Sequence, residues 1–235
     1  MIFAAGLGTR LRPLTNDKPK ALVELGGKTF LQRNIEYVKS FGFDEIVINI
    51  HHFGEEILKH LKKYKNFGVK IHISDERGEL LETGGGLKKA AHFFDKDEDF
   101  LVFNVDILTD IDLNKMLVFH RKKKALATLA VRKRTSSRYL LFDEKMLLDG
   151  WTNTKTGEYI YASDRPAQLN RFAFSGVHFI NSKIFEQLHQ TGKFSIIKPY
   201  LELAQNNKIL GYDHSHSVWM DLGTHEKLAK AEKLV

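Results

Sequence analysis

Apolar residues recur along this chain with two different spacings. Residues at helical spacing occupy 30–41 and 53–64, whereas the short and nearly continuous apolar runs of buried strands occupy 45–50, 69–74, 100–105 and 126–132. Strands that alternate with helices of this length are typical of a doubly wound, mainly parallel sheet, in which ligands bind at the carboxyl ends of the strands. The pattern therefore predicts an α/β fold.

The chain changes character after residue 132. Short apolar runs separated by turns predict a small antiparallel lobe over 133–168, and the alternating pattern of 172–180 predicts a strand that returns to the sheet. We interpret His178 in that strand as a packed histidine rather than a base. Helices that each open with a serine cap are expected to follow, at 182–189 and 195–206.

The first twenty residues have the composition of a phosphate-binding loop. An apolar run over 1–5 ends at Gly6, and Gly6 and Gly8 are free to take positive φ, so that backbone N–H groups could close on an anion. Arg10 and Lys20 would add full positive charge beside those amides. The spacing fits neither a Walker loop nor the dinucleotide fingerprint. An ordinary strand-to-loop turn with scattered surface cations is the alternative.

Carboxylates follow two of the predicted strands. Asp106 comes directly after the strand at 100–105, and Asp221 lies between apolar residues and is followed by Gly-Thr and a predicted capped helix. A carboxylate at the end of a central strand faces the same edge of the sheet as the phosphate loop. Mg²⁺ prefers such oxygen ligands and usually sits between carboxylates and substrate phosphates. Asp110 or Asp112 is expected to cap the following helix.

Three consecutive glycines, at 84–86, precede an amphipathic run at 87–94. This order predicts a second loop that packs closely against something flat before a helix begins, or simply a flexible glycine turn. Glu82 and Thr83 directly precede these glycines.

The formal net charge of +7 and the pI near 9.3 indicate an anionic partner. The basic runs at 122–124 and 132–134 are not interleaved with aromatic residues, as a nucleic-acid stacking platform would require. Nucleotides and sugar phosphates account for the charge equally well. The sequence has no cysteine, which excludes disulfides and thiolate metal sites. No apolar run approaches the length of a membrane span, so we expect a cytoplasmic protein with no membrane partner.

Residues 4–15, with Lys18-Pro19-Lys20, resemble the signature of the sugar-1-phosphate nucleotidyltransferases. Residues 219–224 match the same family's Trp-x-Asp-x-Gly-Thr motif. The stretch at 82–86 most closely resembles the version found in bacterial N-acetylmuramate 1-phosphate uridylyltransferases, which points to UTP, although guanylyltransferases of mannose or heptose phosphates carry near relatives of it. The resemblance implies a Rossmann-like nucleotidyltransferase fold over 1–235, with a sugar-binding lobe at 133–180.

The resemblance also implies an activity: Mg²⁺-dependent transfer of a nucleotidyl group from a nucleoside triphosphate to a sugar 1-phosphate, with release of pyrophosphate. The residues placed by the family motifs are the catalytic cations Arg10 and Lys20, the Mg²⁺ ligands Asp106 and Asp221, the nucleotide-binding residues Ala5, Gly6, Gly8, Thr9, Glu82, Thr83, Gly84 and Gly85, and the sugar-binding Ser175 and Gly176. Asn104 and Glu158 are further candidates for sugar binding. A non-catalytic nucleotide-binding subunit and a nucleic-acid-binding module are the alternatives outside this class.

Overall fold

The computed structural model describes residues 1–163 and 168–235, which gather into two compact units. The first comprises 1–81, 103–113 and 218–235, and the second comprises 82–102 and 114–217. The single domain expected from the sequence stays a prediction. In the described part of the chain, no helix is long and apolar enough to cross a bilayer.

The first unit is built on parallel strands in the order β6-β1-β4-β5. Strand β6 begins in the second unit, and its last two residues pair with β1, Phe103 opposite Ile2 and Asn104 opposite Phe3. Two small antiparallel ladders, β2–β3 and β7–β14, complete the strands. The elements are β1 (Ile2–Phe3), β2 (Glu24–Leu25), β3 (Lys28–Thr29), α1 (Phe30–Ser40), β4 (Glu45–Ile50), α2 (Gly54–Lys63), β5 (Lys70–Asp75), β6 (Asp99–Asn104), β7 (Ile107–Thr109), β14 (Trp219–Asp221) and α6 (His225–Ala231).

Helix α1 shows why these segments fold as they do. The hydroxyl of Thr29 caps it by accepting a hydrogen bond from the Gln32 N–H at 3.1 Å. Its apolar residues recur at helical spacing, and Leu31 and Ile35 are completely buried.

The second unit is largely antiparallel. Strands β11, β10, β9 and β12 pair antiparallel in that order, β12 also pairs antiparallel with β8, and β8 pairs parallel with β13. Its core includes the fully buried rings of Phe142, Phe179 and Tyr200. The elements are α3 (Glu82–Lys89), α4 (Leu113–Lys123, whose first residue belongs to the first unit), β8 (Ala127–Arg132), β9 (Arg138–Phe142), β10 (Leu148–Asn153), β11 (Glu158–Tyr161), β12 (Asn170–Asn181), α5 (Ile197–Ala204) and β13 (Ile209–Asp213).

The mainly parallel central strands, the flanking helices and the antiparallel strands after residue 132 confirm the predicted fold class. Residues 164–167 of the predicted lobe lie outside the described residues.

Three local predictions are wrong. The glycines at 84–86 lie inside helix α3 and not in a loop before it. The segment after β12 is a short 3-10 helix, Ser182–Glu186, capped by the Asn181 side chain and not by a serine. Helix α5 has Ile196 at its N-cap, without a side-chain cap.

Candidate functional site

The predicted phosphate loop follows β1 in the first unit, and its start is fixed by a hydrogen bond. The Ala4 N–H donates to Oδ1 of Asn49 at 2.7 Å. Gly8 takes the left-handed conformation with φ of 65°, and its carbonyl accepts from the Thr15 hydroxyl at 2.9 Å. A Cβ on Gly8 would lie 3.0 Å from the Lys20 side chain. Gly8 therefore lets the loop turn closely over Lys20.

Gly6 and Gly8, both predicted to be free to take positive φ, differ in the structure. Among the described residues, Gly8 is the glycine of this loop with positive φ, and a Cβ on Gly6 would meet nothing within 4 Å. Gly6 and Thr9 are exposed, whereas Ala5 is buried. The loop therefore presents Gly6 and Thr9 to solvent.

Lys20 and Asp106 contact each other directly. The Lys20 ammonium contacts Oδ2 of Asp106, and the two side chains are 12% and 18% exposed. Asn34 supports the backbone here, because its side-chain amide donates to the Val105 carbonyl at 2.6 Å and to the Phe30 carbonyl at 2.8 Å. Two predicted site residues, 86 positions apart in sequence, are thus neighbours in the first unit.

The pairing of β7 with β14 brings the second carboxylate beside the first. Asp221 stands opposite Ile107, the residue after Asp106, and the Leu222 N–H donates to the Asp106 carbonyl at 2.7 Å. Oδ2 of Asp221 contacts the ammonium of Lys227, and Oδ1 accepts from the Gly223 N–H at 3.3 Å.

The side chains of Arg10 and Asp221 both lie close to Gly223. A Cβ on Gly223 would lie 2.8 Å from Nη2 of Arg10, so the missing side chain leaves room for the guanidinium. Burial alone would raise the pKa of the Asp221 carboxyl, but Lys227, the Gly223 N–H and Arg10 together hold that pKa below its usual range. Asp221 is therefore ionised at neutral pH and flanked by two cations.

The first unit offers carboxylates that suit a hard divalent cation. Asp106 and Asp221 place carboxylate oxygens, the ligand type that such a cation prefers, at adjacent strand ends. Within 1–163 and 168–235 no group of three or more His, Cys, Asp or Glu side chains is placed to hold a metal ion. Two carboxylates fit a cation such as Mg²⁺ that takes its remaining ligands from water and substrate phosphates.

A buried network that the sequence analysis did not identify supports the loop. Glu76 is fully buried, and its carboxylate accepts from the Asn49 side-chain amide at 2.7 Å and from the Leu81 N–H at 3.2 Å. Asn49 in turn holds the Ala4 N–H. One signal was present, because Asn49 is a polar residue inside the apolar run of β4.

In the second unit, the predicted base-binding stretch forms the first turn of α3. The N–H groups of Gly84 and Gly85 donate to the Phe194 carbonyl at 2.8 and 3.3 Å. The Thr83 hydroxyl accepts from the Ile196 N–H at 3.1 Å. Glu82 has positive φ, 59°, and lies 3.8 Å from the Lys193 ammonium. These residues are therefore held against the segment that leads into α5.

Gly84 is required by a close approach, and this gives a test of the packing. A Cβ on Gly84 would lie 2.3 Å from Cε2 of Phe194. Helix propensity alone predicts that Gly84→Ala stabilises α3 by up to about 1 kcal/mol, whereas overpacking predicts a loss of about 1–3 kcal/mol. We expect the loss, measured by urea unfolding.

Two variants control that experiment. Gly78→Ala should leave the midpoint unchanged, because a Cβ there meets nothing within 4 Å. In a Phe194→Ala background, Gly84→Ala should cost much less, because the clashing ring is gone. A Gly84→Ala protein more stable than the wild type would contradict the packing described here.

The predicted sugar-binding residues occupy different environments. Asn104 ends β6 in the first unit, half-buried. In the second unit, Ser175 is buried, with its hydroxyl 2.6 Å from Nε2 of His214. Gly176 has φ of 74° where the pairing of β12 with β8 shifts register. Glu158 is exposed on β11. The presence of glycine at position 176 is thus explained by a β-bulge, whose backbone requires positive φ there.

His178 is a packed strand histidine, as interpreted from the sequence. Its Nδ1 lies 2.7 Å from the Tyr200 hydroxyl, and both residues are buried. Burial lowers the pKa of His178 to about 3, so the ring is neutral at physiological pH.

The amino-acid sequence was compared with those of known proteins. The sequence matches the nucleotidyl transferase family over residues 1–235. It is 31% identical over 241 residues to an N-acetylmuramate alpha-1-phosphate uridylyltransferase of Neisseria meningitidis, covering 100% of this chain and 96% of that one. It is 30% identical over 228 residues to a mannose-1-phosphate guanyltransferase of Yarrowia lipolytica, covering 95% and 60%.

Among solved structures, HddC from Yersinia pseudotuberculosis in complex with GMP-PN shares the fold. The TM-score is 0.77 at 23% identity, with 99% of this chain and 97% of that chain covered. The family match over the whole sequence confirms the resemblance drawn from residues 4–20: the chain belongs to the nucleotidyl transferase family and is a sugar-1-phosphate nucleotidyltransferase.

Proposed function

We propose that this protein transfers a uridylyl group from UTP to N-acetylmuramate 1-phosphate and releases pyrophosphate. The similarity to an uridylyltransferase with that acceptor, over the full length of both chains, supports the choice of base and sugar. The observation that carries the chemistry is the cluster of Lys20, Asp106 and Asp221 with Arg10 and Lys227 in the first unit. Recycling of cell-wall sugars and a cytoplasmic location are parts of this proposal.

The chemistry proposed needs no covalent nucleophile. An oxygen of the sugar phosphate attacks the α-phosphorus of the triphosphate in line, and pyrophosphate leaves. Catalysis then consists of holding the two phosphates together and neutralising the charge that builds up between them. Arg10 would neutralise the triphosphate and the departing pyrophosphate, whereas Lys20 would stabilise the α-phosphate and the acceptor.

Asp106 and Asp221 would hold a divalent cation, proposed to be Mg²⁺. When bound, such an ion polarises phosphoryl oxygens and neutralises charge on them. This assignment is supported by the position of the two carboxylates, which lie at adjacent strand ends and contact the ammonium groups of Lys20 and Lys227.

The remaining assignments concern binding. Nucleotide contacts are proposed for Ala5, Gly6, Gly8 and Thr9 in the loop after β1, and for Glu82, Thr83, Gly84 and Gly85 in the first turn of α3. Because the N–H groups of Gly84 and Gly85 already donate to the Phe194 carbonyl, these two groups are not the ones proposed to bind a base. Sugar contacts are proposed for Asn104, Glu158, Ser175 and Gly176.

A pyrophosphate-release assay with Mg²⁺ tests the proposal. UTP, GTP, CTP and dTTP are each offered with N-acetylmuramate, mannose and glucose 1-phosphates. We expect the highest kcat/KM for UTP with N-acetylmuramate 1-phosphate. A preference for GTP with mannose 1-phosphate would instead establish the second candidate, a guanylyltransferase, which the similarity to the Yarrowia lipolytica enzyme favours.

A further inference from the structure

The two carboxylates proposed to hold the metal, Asp106 and Asp221, are already neutralised by cations of the protein. Asp106 contacts Lys20, Asp221 contacts Lys227, and the Arg10 guanidinium also lies beside Asp221. The cluster contains two negative and three positive side chains. A divalent cation that approaches alone therefore meets a site without net negative charge, in which an ammonium already contacts one oxygen of each carboxylate.

Among the cations of this cluster, Lys227 is placed so that its ammonium can move away from the Asp221 carboxylate. It lies in the first turn of α6, where its N–H bonds to the capping Thr224 hydroxyl at 3.4 Å, so its backbone is fixed. Its side chain is 40% exposed, whereas that of Lys20 is 12% exposed. Lys227 can thus turn into solvent without disturbing the helix.

The same helix provides a comparison. Lys230 also pairs with a carboxylate, Glu226, at 2.7 Å, but those side chains are 64% and 75% exposed. Asp221 is only 21% exposed, and its other oxygen already accepts from the Gly223 N–H. Solvent screens the Lys230 pair far more than the Lys227 pair. The contact of Lys227 with Asp221 is therefore less screened by solvent than an ordinary surface ion pair.

We propose that Lys227 is an internal counter-ion that competes with the divalent cation for Asp221, so that the cation enters together with the nucleotide and not before it. Lys227 neutralises Asp221 in the free protein. It gives up the carboxylate when nucleotide phosphates bring negative charge beside Arg10 and compensate for the added cation. This inference rests on the proposed function, because it takes Asp221 as a metal ligand and the loop after β1 as the phosphate site.

Titration with Mn²⁺, followed by the EPR signal of the unbound ion, tests the inference without turnover. We expect Lys227→Met to bind Mn²⁺ about three- to tenfold more tightly than the wild type in the absence of nucleotide, because a partly buried competitor is gone. Lys230→Met, the matched control, should bind as the wild type does. A non-hydrolysable UTP analogue should tighten Mn²⁺ binding more in the wild type than in Lys227→Met.

The outcomes separate this inference from the proposed function. Unchanged or weaker Mn²⁺ binding in Lys227→Met, with Lys227→Gln agreeing, overturns the competition. Mn²⁺ binding that survives Asp221→Asn overturns both the competition and the metal assignment. Tighter binding in Lys227→Met, together with no turnover in the substrate assay, supports the competition and refutes only the proposed reaction.

Discussion

Asp106→Asn and Asp221→Asn are each expected to lower kcat/KM by roughly a hundred- to a thousandfold, the range seen when one charged or polar group that stabilises a transition state is removed. Both substitutions keep the size of the side chain and remove its charge. They leave Lys20 or Lys227 beside a neutral amide that binds a divalent cation poorly. Pyrophosphate release under saturating Mg²⁺ measures the loss.

The loss of kcat/KM reports on catalysis only if both variants remain folded. Both variants should still fold, with the urea midpoint only moderately lowered, because the asparagine amide oxygen can still accept a hydrogen bond from Lys20 or Lys227. Asp110→Asn is the matched control. Asp110 accepts a hydrogen bond from the Val218 N–H at 2.8 Å, and an amide oxygen can still accept it. Near-normal rates in Asp106→Asn or Asp221→Asn would refute the metal assignment.

Much of the candidate site could be predicted because its signals are local. Gly8, Arg10 and Lys20 all lie in the first twenty residues, after the apolar run at 1–5, and a carboxylate directly after a strand is visible in the sequence alone. Parallel strands share one edge, so strand-end residues far apart in the chain were expected to meet. The contact of Lys20 with Asp106 agrees with that expectation, whereas Asp221 is brought beside Ile107 by the antiparallel pairing of β14 with β7.

The rest depends on tertiary contacts that leave no local pattern. Three consecutive glycines predict a loop because glycine is a poor helix former. In the protein, the Phe194 carbonyl accepts from two of their N–H groups, and the Phe194 ring fills the space of a side chain at Gly84, so packing overrides propensity. Nothing in the sequence distinguishes Lys227 as a site residue, since a lysine in a short helix is ordinary. In the structure its ammonium contacts Asp221, which ends β14 and precedes Lys227 by six residues.

The second large effect is expected at Glu76, which touches none of the predicted site residues. Its carboxylate is fully buried and accepts from the Asn49 amide and the Leu81 N–H. Glu76→Ala removes both acceptors, leaves the buried Asn49 amide and the partly buried Leu81 N–H without this partner, and opens a cavity. The free energy of unfolding should fall by about 3 kcal/mol, because each hydrogen bond to a charged group contributes about 1.5–3 kcal/mol. Urea unfolding measures this, and the exposed Glu79→Ala serves as its control.

Conservative variants show that the carboxylate itself matters. Glu76→Gln keeps the shape but turns an amide donor toward either Asn49 or Leu81, so it should cost roughly half as much as Glu76→Ala. Asn49→Ala should be strongly coupled to Glu76→Ala in a double-mutant cycle, because the two side chains share one hydrogen bond and Asn49 alone holds the Ala4 N–H. Since Ala4 begins the phosphate loop, KM for the nucleotide should rise in both single variants even at temperatures where they are fully folded. Additive stabilities and an unchanged KM would show that the network stabilises the fold without positioning the loop.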